Sequence, residues 1–145
     1  MSDTEPALLI VDDNEDFLRV ARNILVEEDF TVHTAGTSHE AIAFLERCGT
    51  DRRAPRPSFV VLDYRLEIPA TALDVLARMS RRPVLRAMPV LVISQSRWPE
   101  DETAACAAGA TAFREKPSSI RALRELLVHF WKETVDGAHH PADRG

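Results

Sequence analysis

The chain has 145 residues, of which 45% are hydrophobic and 28% charged, with a formal net charge of -5. One ordinary globular domain with a single core fits that length, and the composition is not that of a disordered chain. The acidic balance argues against nonspecific nucleic-acid binding. The apolar runs are too short to span a bilayer, and no basic segment followed by an apolar stretch opens the chain.

Ala7-Leu8-Leu9-Ile10-Val11 is an apolar run that ends on Asp12 and Asp13. Phe17, Ala21, Ile24 and Leu25 then recur at helical spacing through about Glu28, and Thr31 to Ala35 reads as a second strand. Thr37 and Glu40 have capping-box spacing and open a helix through about Arg47. Phe59-Val60-Val61-Leu62 is a third strand ending on Asp63, followed by a helix from about Ala72 to Arg81 with Leu73, Leu76 and Met79 on one face. Val90-Leu91-Val92-Ile93 ends on Ser94. Pro99 and the acids after it suit the first turn of a short fourth helix, which Gly109 stops. Ala112-Phe113-Arg114-Glu115 leads to Lys116-Pro117, and Ser118 or Ser119 caps a fifth helix reaching about Glu133. The expected organisation is an extension over residues 1–6, a domain over 7–133 and a flexible tail over 134–145.

Short β-branched runs separated by helices are read as buried strands of a parallel sheet. In an open α/β sheet the ligand site lies beyond the carboxyl ends of the strands. Asp12, Asp13, Asp63, Ser94 and Lys116 each sit at such an end, so three acids, a hydroxyl and a lysine are expected in one pocket. The two cysteines, Cys48 and Cys106, have no CxxC or paired-histidine spacing and read as reduced thiols.

This ordered set resembles the receiver domain of two-component response regulators from about Ala7 to about Trp131. The resemblance implies a five-stranded parallel sheet of order 2-1-3-4-5 with helices on both faces, the flavodoxin-like receiver fold. It implies that Asp63 accepts a phosphoryl group, with Lys116 and Ser94 completing the catalytic set. It further implies a Mg²⁺ site formed by Asp12, Asp13, Asp63 and the backbone carbonyl of Arg65. Ser94 and Phe113 match the switch positions, and Arg65 and Ser96 match positions that tune dephosphorylation. The segment Arg65 to Ala72 departs from the family's Pro-x-x-Asp-Gly loop: it is one residue longer and lacks the glycine.

The implied function is that of a stand-alone cytoplasmic response regulator that signals through protein contacts and is not an enzyme beyond its own phosphotransfer and dephosphorylation. A phosphorylation-independent pseudo-receiver module is the alternative. A phosphohydrolase of the haloacid-dehalogenase type would want an aspartate two residues after Asp63, where Arg65 stands. The long arginine-bearing connections 49–57 and 80–88, with Phe130-Trp131, resemble single-domain receivers that accompany bacteriophytochrome-like histidine kinases, which implies a sensor histidine kinase as partner. No helix-turn-helix pattern follows residue 133, so no direct nucleic-acid contact is expected.

The apolar residues of the fifth helix, Ile120, Leu123, Leu126, Leu127, Val128, Phe130 and Trp131, spread over an arc of roughly 200°, beyond the ~100° stripe of one core-facing helix. One flank, Leu126 with Phe130 or Val128 with Trp131, is therefore predicted to be exposed. A homodimer through the face made by helix 4, strand 5 and helix 5 follows from it.

Overall fold

A computed structural model describes residues 6–136 apart from 52, 55, 67–70, 96 and 97, and omits the side chains of 135 and 136. The strands are β1 (Ala7–Val11), β2 (Thr31–Ala35), β3 (Phe59–Asp63), β4 (Val90–Ser94) and β5 (Ala112–Glu115). All pair in parallel, in the order β2-β1-β3-β4-β5. The helices are α1 (Glu15–Glu27), α2 (Ser38–Thr50), α3 (Ala72–Ser80), α4 (Pro83–Arg86), α5 (Pro99–Ala107) and α6 (Ile120–Phe130). The short α4 was not foreseen, so the helices expected as fourth and fifth are α5 and α6.

Side chains alternate across a strand, and here both faces are covered. Leu9, Val11, Val60, Leu62, Val90 and Val92 face the helices α2, α3 and α5 through Leu45, Leu76 and Ala105. Leu8, Ile10, Phe59, Val61, Leu91 and Ile93 face α1 and α6 through Leu25 and Leu127. β3 and β4 are buried at every position, as central strands of such a sheet must be.

Local chemistry sets the helix ends. Asn14 caps α1 by accepting from Phe17 N at 3.0 Å. Thr37 caps α2 from its predicted position, but the Glu40 carboxylate reaches Gly36 N (2.7 Å) rather than the cap residue itself. The reciprocal capping box belongs instead to α3, where Thr71 and Asp74 bind each other's backbone N–H. Ser119 caps α6. The last helix does not end at Glu133 but widens into a π-helical turn over Trp131–Asp136. The tail expected to be flexible lies from residue 137 outside the described residues.

At the amino ends of the strands an aromatic cluster closes the sheet. Phe59 packs on Phe130 (ring centroids 5.4 Å apart) and Phe30 packs edge-on to Trp131 (5.8 Å). Phe130 is 6% exposed, which corrects the expected exposed flank: both aromatics of α6 and its extension serve this cluster. The exposed large apolar residues among those described are Val26, Val84, Trp98 and Ile120.

The connections 49–57 and 80–88 do meet, since a Cβ on Gly49 would lie 2.9 Å from Arg82 Cδ. Among the described residues of these connections, Arg56, Arg82 and Arg86 bind within the fold. Glu46 binds Arg82 (2.8 Å) and Arg78 (3.1 Å), and Arg56 donates to the Cys48 carbonyl (3.2 Å).

Among the described residues two positions adopt positive φ, Asp29 after α1 (φ 67) and Gly109 after α5 (φ 120). Only glycine enters this region without a steric penalty of about 1–2 kcal/mol. Gly109→Ala should therefore lose stability by about 1–2 kcal/mol, and Asp29→Gly should gain up to about 1 kcal/mol. Urea titration of the two variants checks both signs.

Candidate functional site at the carboxyl edge of the sheet

Strand register assembles the site. Val11 pairs with Leu62, so Asp12 follows β1 beside Asp63 at the end of β3. Asp63 pairs with Ile93, one residue before Ser94, and Ser94 pairs with Glu115, one residue before Lys116. Backbone bonds extend the ladder past these ends: Tyr64 N donates to the Ile93 carbonyl and Lys116 N to the Ser94 carbonyl, both at 2.8 Å. The five polar residues thus share one edge because four parallel strands stop in step.

Ligand atoms of Asp12, Asp13 and Asp63 all lie within 4.8 Å of one another. Asp12 is fully buried, Asp63 is 5% exposed and Asp13 is exposed. Neither Asp12 nor Asp13 caps α1, because Asn14 holds that role. Instead Asp12 Oδ1 accepts from Asn14 N (2.9 Å), which orients the carboxylate into the cluster. Its Oδ2 lies 2.7 Å from Lys116 Nζ but finds no aligned hydrogen-bond donor among the described residues. That close, poorly aligned ion pair leaves a buried carboxylate oxygen with a lone pair to give.

Lys116 Nζ is nearer Asp12 than Asp63, whose Oδ2 stands 3.9 Å away. The ammonium also sits 4.3 Å from the centroid of the Phe17 ring. An ammonium held by a carboxylate on one side and an aromatic face on the other is fixed in place.

Asp63 Oδ1 accepts from Arg65 N at 3.2 Å. Its carboxyl is pushed up from 3.8 to about 6, first by burial and then by the Asp12 charge, with Lys116 and the Arg65 N–H pulling the other way and Asp13 adding repulsion. A carboxylate raised by burial and like charge is under-compensated, and an added cation would relieve it. Three hard oxygen donors gathered at the strand ends fit a small divalent cation.

Ser94 is fully buried at its strand end. Phe113, at the other switch position, is 8% exposed and lies inside, with its ring edge-on to Tyr64 at 5.8 Å. Ser96 and the residues 67–70 of the unusual loop lie outside the described residues. Sequence reading assigned no site role to three neighbours: Phe17 under Lys116, Tyr64 against Phe113, and Asp101, whose Oδ2 is 3.3 Å from Arg65 NH2. Phe17 looked like one more apolar position of a helix and Asp101 like one more acid of a first turn. Only Tyr64, adjacent to Asp63, carried a positional hint.

The family model described as "Response regulator receiver domain" matches residues 8–128. Among curated proteins, the response regulator Rcp1 of Synechocystis is 26% identical over 141 residues, covering 92% of this chain and 94% of that protein. The probable transcriptional regulatory protein TcrX of Mycobacterium tuberculosis is 33% identical, with 93% of this chain matching 56% of that protein. Among solved structures, the phosphorylated cyanobacterial phytochrome response regulator RcpA superposes with a TM-score of 0.78 at 25% identity, over 90% of this chain and 96% of that one. The chemotaxis protein CheY4 of Vibrio cholerae shares the fold with a TM-score of 0.75 at 21% identity, over 87% of this chain and 98% of that one. A parallel sheet of order 2-1-3-4-5 ending in an acidic cluster and a lysine, over a span almost wholly matched by the family, places this chain among the response regulator receiver domains of two-component signalling.

Proposed function

We propose that this receiver accepts a phosphoryl group from a sensor histidine kinase on Asp63 and signals through contacts that depend on that modification. The observation that carries the reading is Asp63 itself. It is a buried carboxyl raised to about 6 between two other acids, with a lysine 3.9 Å away. A buried carboxyl beside two acids and a lysine suits nucleophilic phosphoryl acceptance.

In the transfer, a carboxylate oxygen of Asp63 attacks the phosphorus of a phosphohistidine. The new P–O bond forms as the P–N bond breaks, and the imidazole leaves with the electron pair. Lys116, held between Asp12 and Phe17, pairs with the phosphoryl oxygens as a point charge. Ser94 donates its hydroxyl to the same group. Asp13, Asp63 and the Arg65 carbonyl would hold Mg²⁺ directly and Asp12 through water. The chemistry Mg²⁺ supplies there is relief of repulsion between the carboxylate and the phosphoryl oxygens. The manganese-bound form of Rcp1 and the phosphorylated form of RcpA support this reading by likeness. The likeness to a phytochrome response regulator also favours a phytochrome-type histidine kinase as the donor and a cytoplasmic setting. The full acidic set argues against a module that never uses phosphate.

Signalling would pass through the α5-β5-α6 face. Phe113 reaches it in a groove shared with Trp98, Pro99 and Glu102, and Trp98 is 60% exposed. A homodimer through that face, anchored by Trp98 and Ile120 rather than by Phe130 or Trp131, is the form in which Phe113 would report on Asp63.

Acetyl phosphate with Mg²⁺ should add one phosphoryl mass to the protein and none to Asp63→Asn. Labelling that persists in the variant would remove Asp63 from the role. Stability supplies a second, independent check. Because the folded carboxyl titrates near 6 and the unfolded one near 3.8, the folded state binds the proton more tightly. The contribution of this group is fully present below the unfolded value and is lost as pH rises through about 6. Without Mg²⁺, Asp63→Asn should therefore exceed the wild type at pH 7 by up to about 3 kcal/mol, with a smaller gap at pH 4.5. Urea titration in chelator at the two pH values measures it. For the dimer, sedimentation at micromolar protein decides: a monomer both with and without beryllofluoride would rule out self-association as the output.

A further inference from the structure

The residues after Asp63 are tied to α5. The guanidinium of Arg65 lies 3.3 Å from Asp101 Oδ2 and 5.9 Å from the centroid of the Tyr64 ring. The Asp101 charge also acts on the Tyr64 hydroxyl and, after burial, helps to raise its pKa. The Tyr64 ring in turn meets Phe113 edge-on, 71° between planes. Asp101 belongs to the first turn of α5, where its own N–H donates to the Trp98 carbonyl at 2.9 Å. Arg65 thus links Asp63 to α5. Its backbone N–H reads Asp63 (3.2 Å), and its side chain reads Asp101.

Charge decides which attachment persists. Asp101 offers one carboxylate, and the Arg65 side chain in that pair is 60% exposed, so the pair is weak and easily traded. A phosphoryl group on Asp63 would bring a charge of about -1.5 to -2 within two residues of Arg65, with acceptor oxygens that suit a guanidinium fork. A long flexible side chain rooted two residues from the reaction centre then has two competing anions.

We propose that Asp101 is a positioning residue that holds Arg65 on α5 in the resting protein and competes with the phosphoryl group for it once Asp63 is modified. The lifetime of the aspartyl phosphate is then set by how one guanidinium is shared. Loss of the group is a hydrolysis: a water oxygen bonds to phosphorus and the bond from phosphorus to the Asp63 oxygen breaks. The carboxylate is regenerated, and inorganic phosphate leaves with the protons of the water. Arg65 lying over the phosphoryl group occupies the side from which that water approaches, and Arg65 held by Asp101 leaves it open. This inference rests on the assignment of Asp63 as acceptor.

The test is a double-mutant cycle on phosphoryl lifetime. Wild type, Asp101→Asn, Asp101→Glu, Arg65→Ala and the Asp101→Asn/Arg65→Ala pair are labelled with acetyl phosphate and Mg²⁺. The donor is removed, and the phosphorylated fraction is followed by intact mass. Arg65→Ala keeps the backbone N–H that binds Asp63. Asp101→Asn should lengthen the lifetime about twofold to fivefold, the range an exposed ion pair supports. Asp101→Glu should stay close to wild type, and Arg65→Ala should shorten the lifetime. The double variant should decay at the Arg65→Ala rate, because Asp101 acts only through Arg65. A merely structural effect of Asp101 would persist in the Arg65→Ala background, and that result overturns the proposal. So does an Asp101→Asn lifetime equal to wild type. Absence of label at the start on every protein overturns the acceptor assignment and the shared guanidinium with it. Normal labelling with lifetimes indifferent to Asp101 overturns the latter alone.

Discussion

The site depends on electrostatic repulsion that the fold creates and does not fully relieve. Two unit charges about 4 Å apart interact by about 4 kcal/mol at an effective dielectric of about 20, so three carboxylates within that reach oppose the folded state by several kcal/mol. Asp12, Asp13 and Asp63 are placed there because β1 and β3 end in register, and the register is enforced by cores on both faces of the sheet. Slipping one strand by a residue would separate the acids, but it would also turn Leu8, Ile10, Phe59 and Val61 to the wrong side. The apolar core therefore holds together what electrostatics alone would push apart.

One cation answers three anions, and its position shows how the imbalance is kept. Lys116 stands 2.7 Å from Asp12 and 3.9 Å from Asp63, with the Phe17 ring against it. The closer pairing leaves the surplus negative charge centred on Asp63 and Asp13. Had Lys116 sat on Asp63 instead, the raised carboxyl would be lowered and the drive to recruit a cation weakened. Burial adds to the effect, since it is the largest cause of the Asp63 shift. The arrangement is costly to stability and useful to chemistry, as expected where a group must be both ionised and reactive.

Much of this was legible in the sequence because the signals were periodic and terminal. Apolar runs such as Phe59 to Leu62 ending on Asp63 announced buried strands, and strand ends announce the ligand edge of a parallel sheet. The meeting of Asp12, Asp13, Asp63, Ser94 and Lys116 at one edge was legible for that reason. What escaped reading depended on contacts across the chain. Asp101 meets Arg65 over a separation of 36 residues, and nothing in the local pattern of either distinguishes it from a solvated charge. The arc of apolar residues on α6 misled for the same reason. Phe130 and Trp131 were counted as surplus to a single helix face, whereas Phe30, Phe59 and the wider turn at Trp131–Asp136 give them a second surface to bury against. Helical periodicity assumes one partner layer, and here the helix end also closes the floor of the sheet.

β3 joins these two regions, and its length limits how they can respond to each other. Phe59 at its start anchors the aromatic floor, and Asp63 at its end belongs to the acidic cluster. Every residue between them is buried and paired on both sides, so the strand has little freedom to shift along its axis. A charge placed on Asp63 must therefore be accommodated sideways, by the elements that follow the strand ends. Tyr64, Arg65 and Phe113 occupy that space and connect it to α5. α5 is well suited to respond, because only Ala105 among its residues is buried. A helix held by so little apolar surface resists displacement less than α1 or α6, which bury several large side chains each. The rigidity of the central strand and the light anchoring of α5 together direct any response toward the α5-β5 side of the molecule.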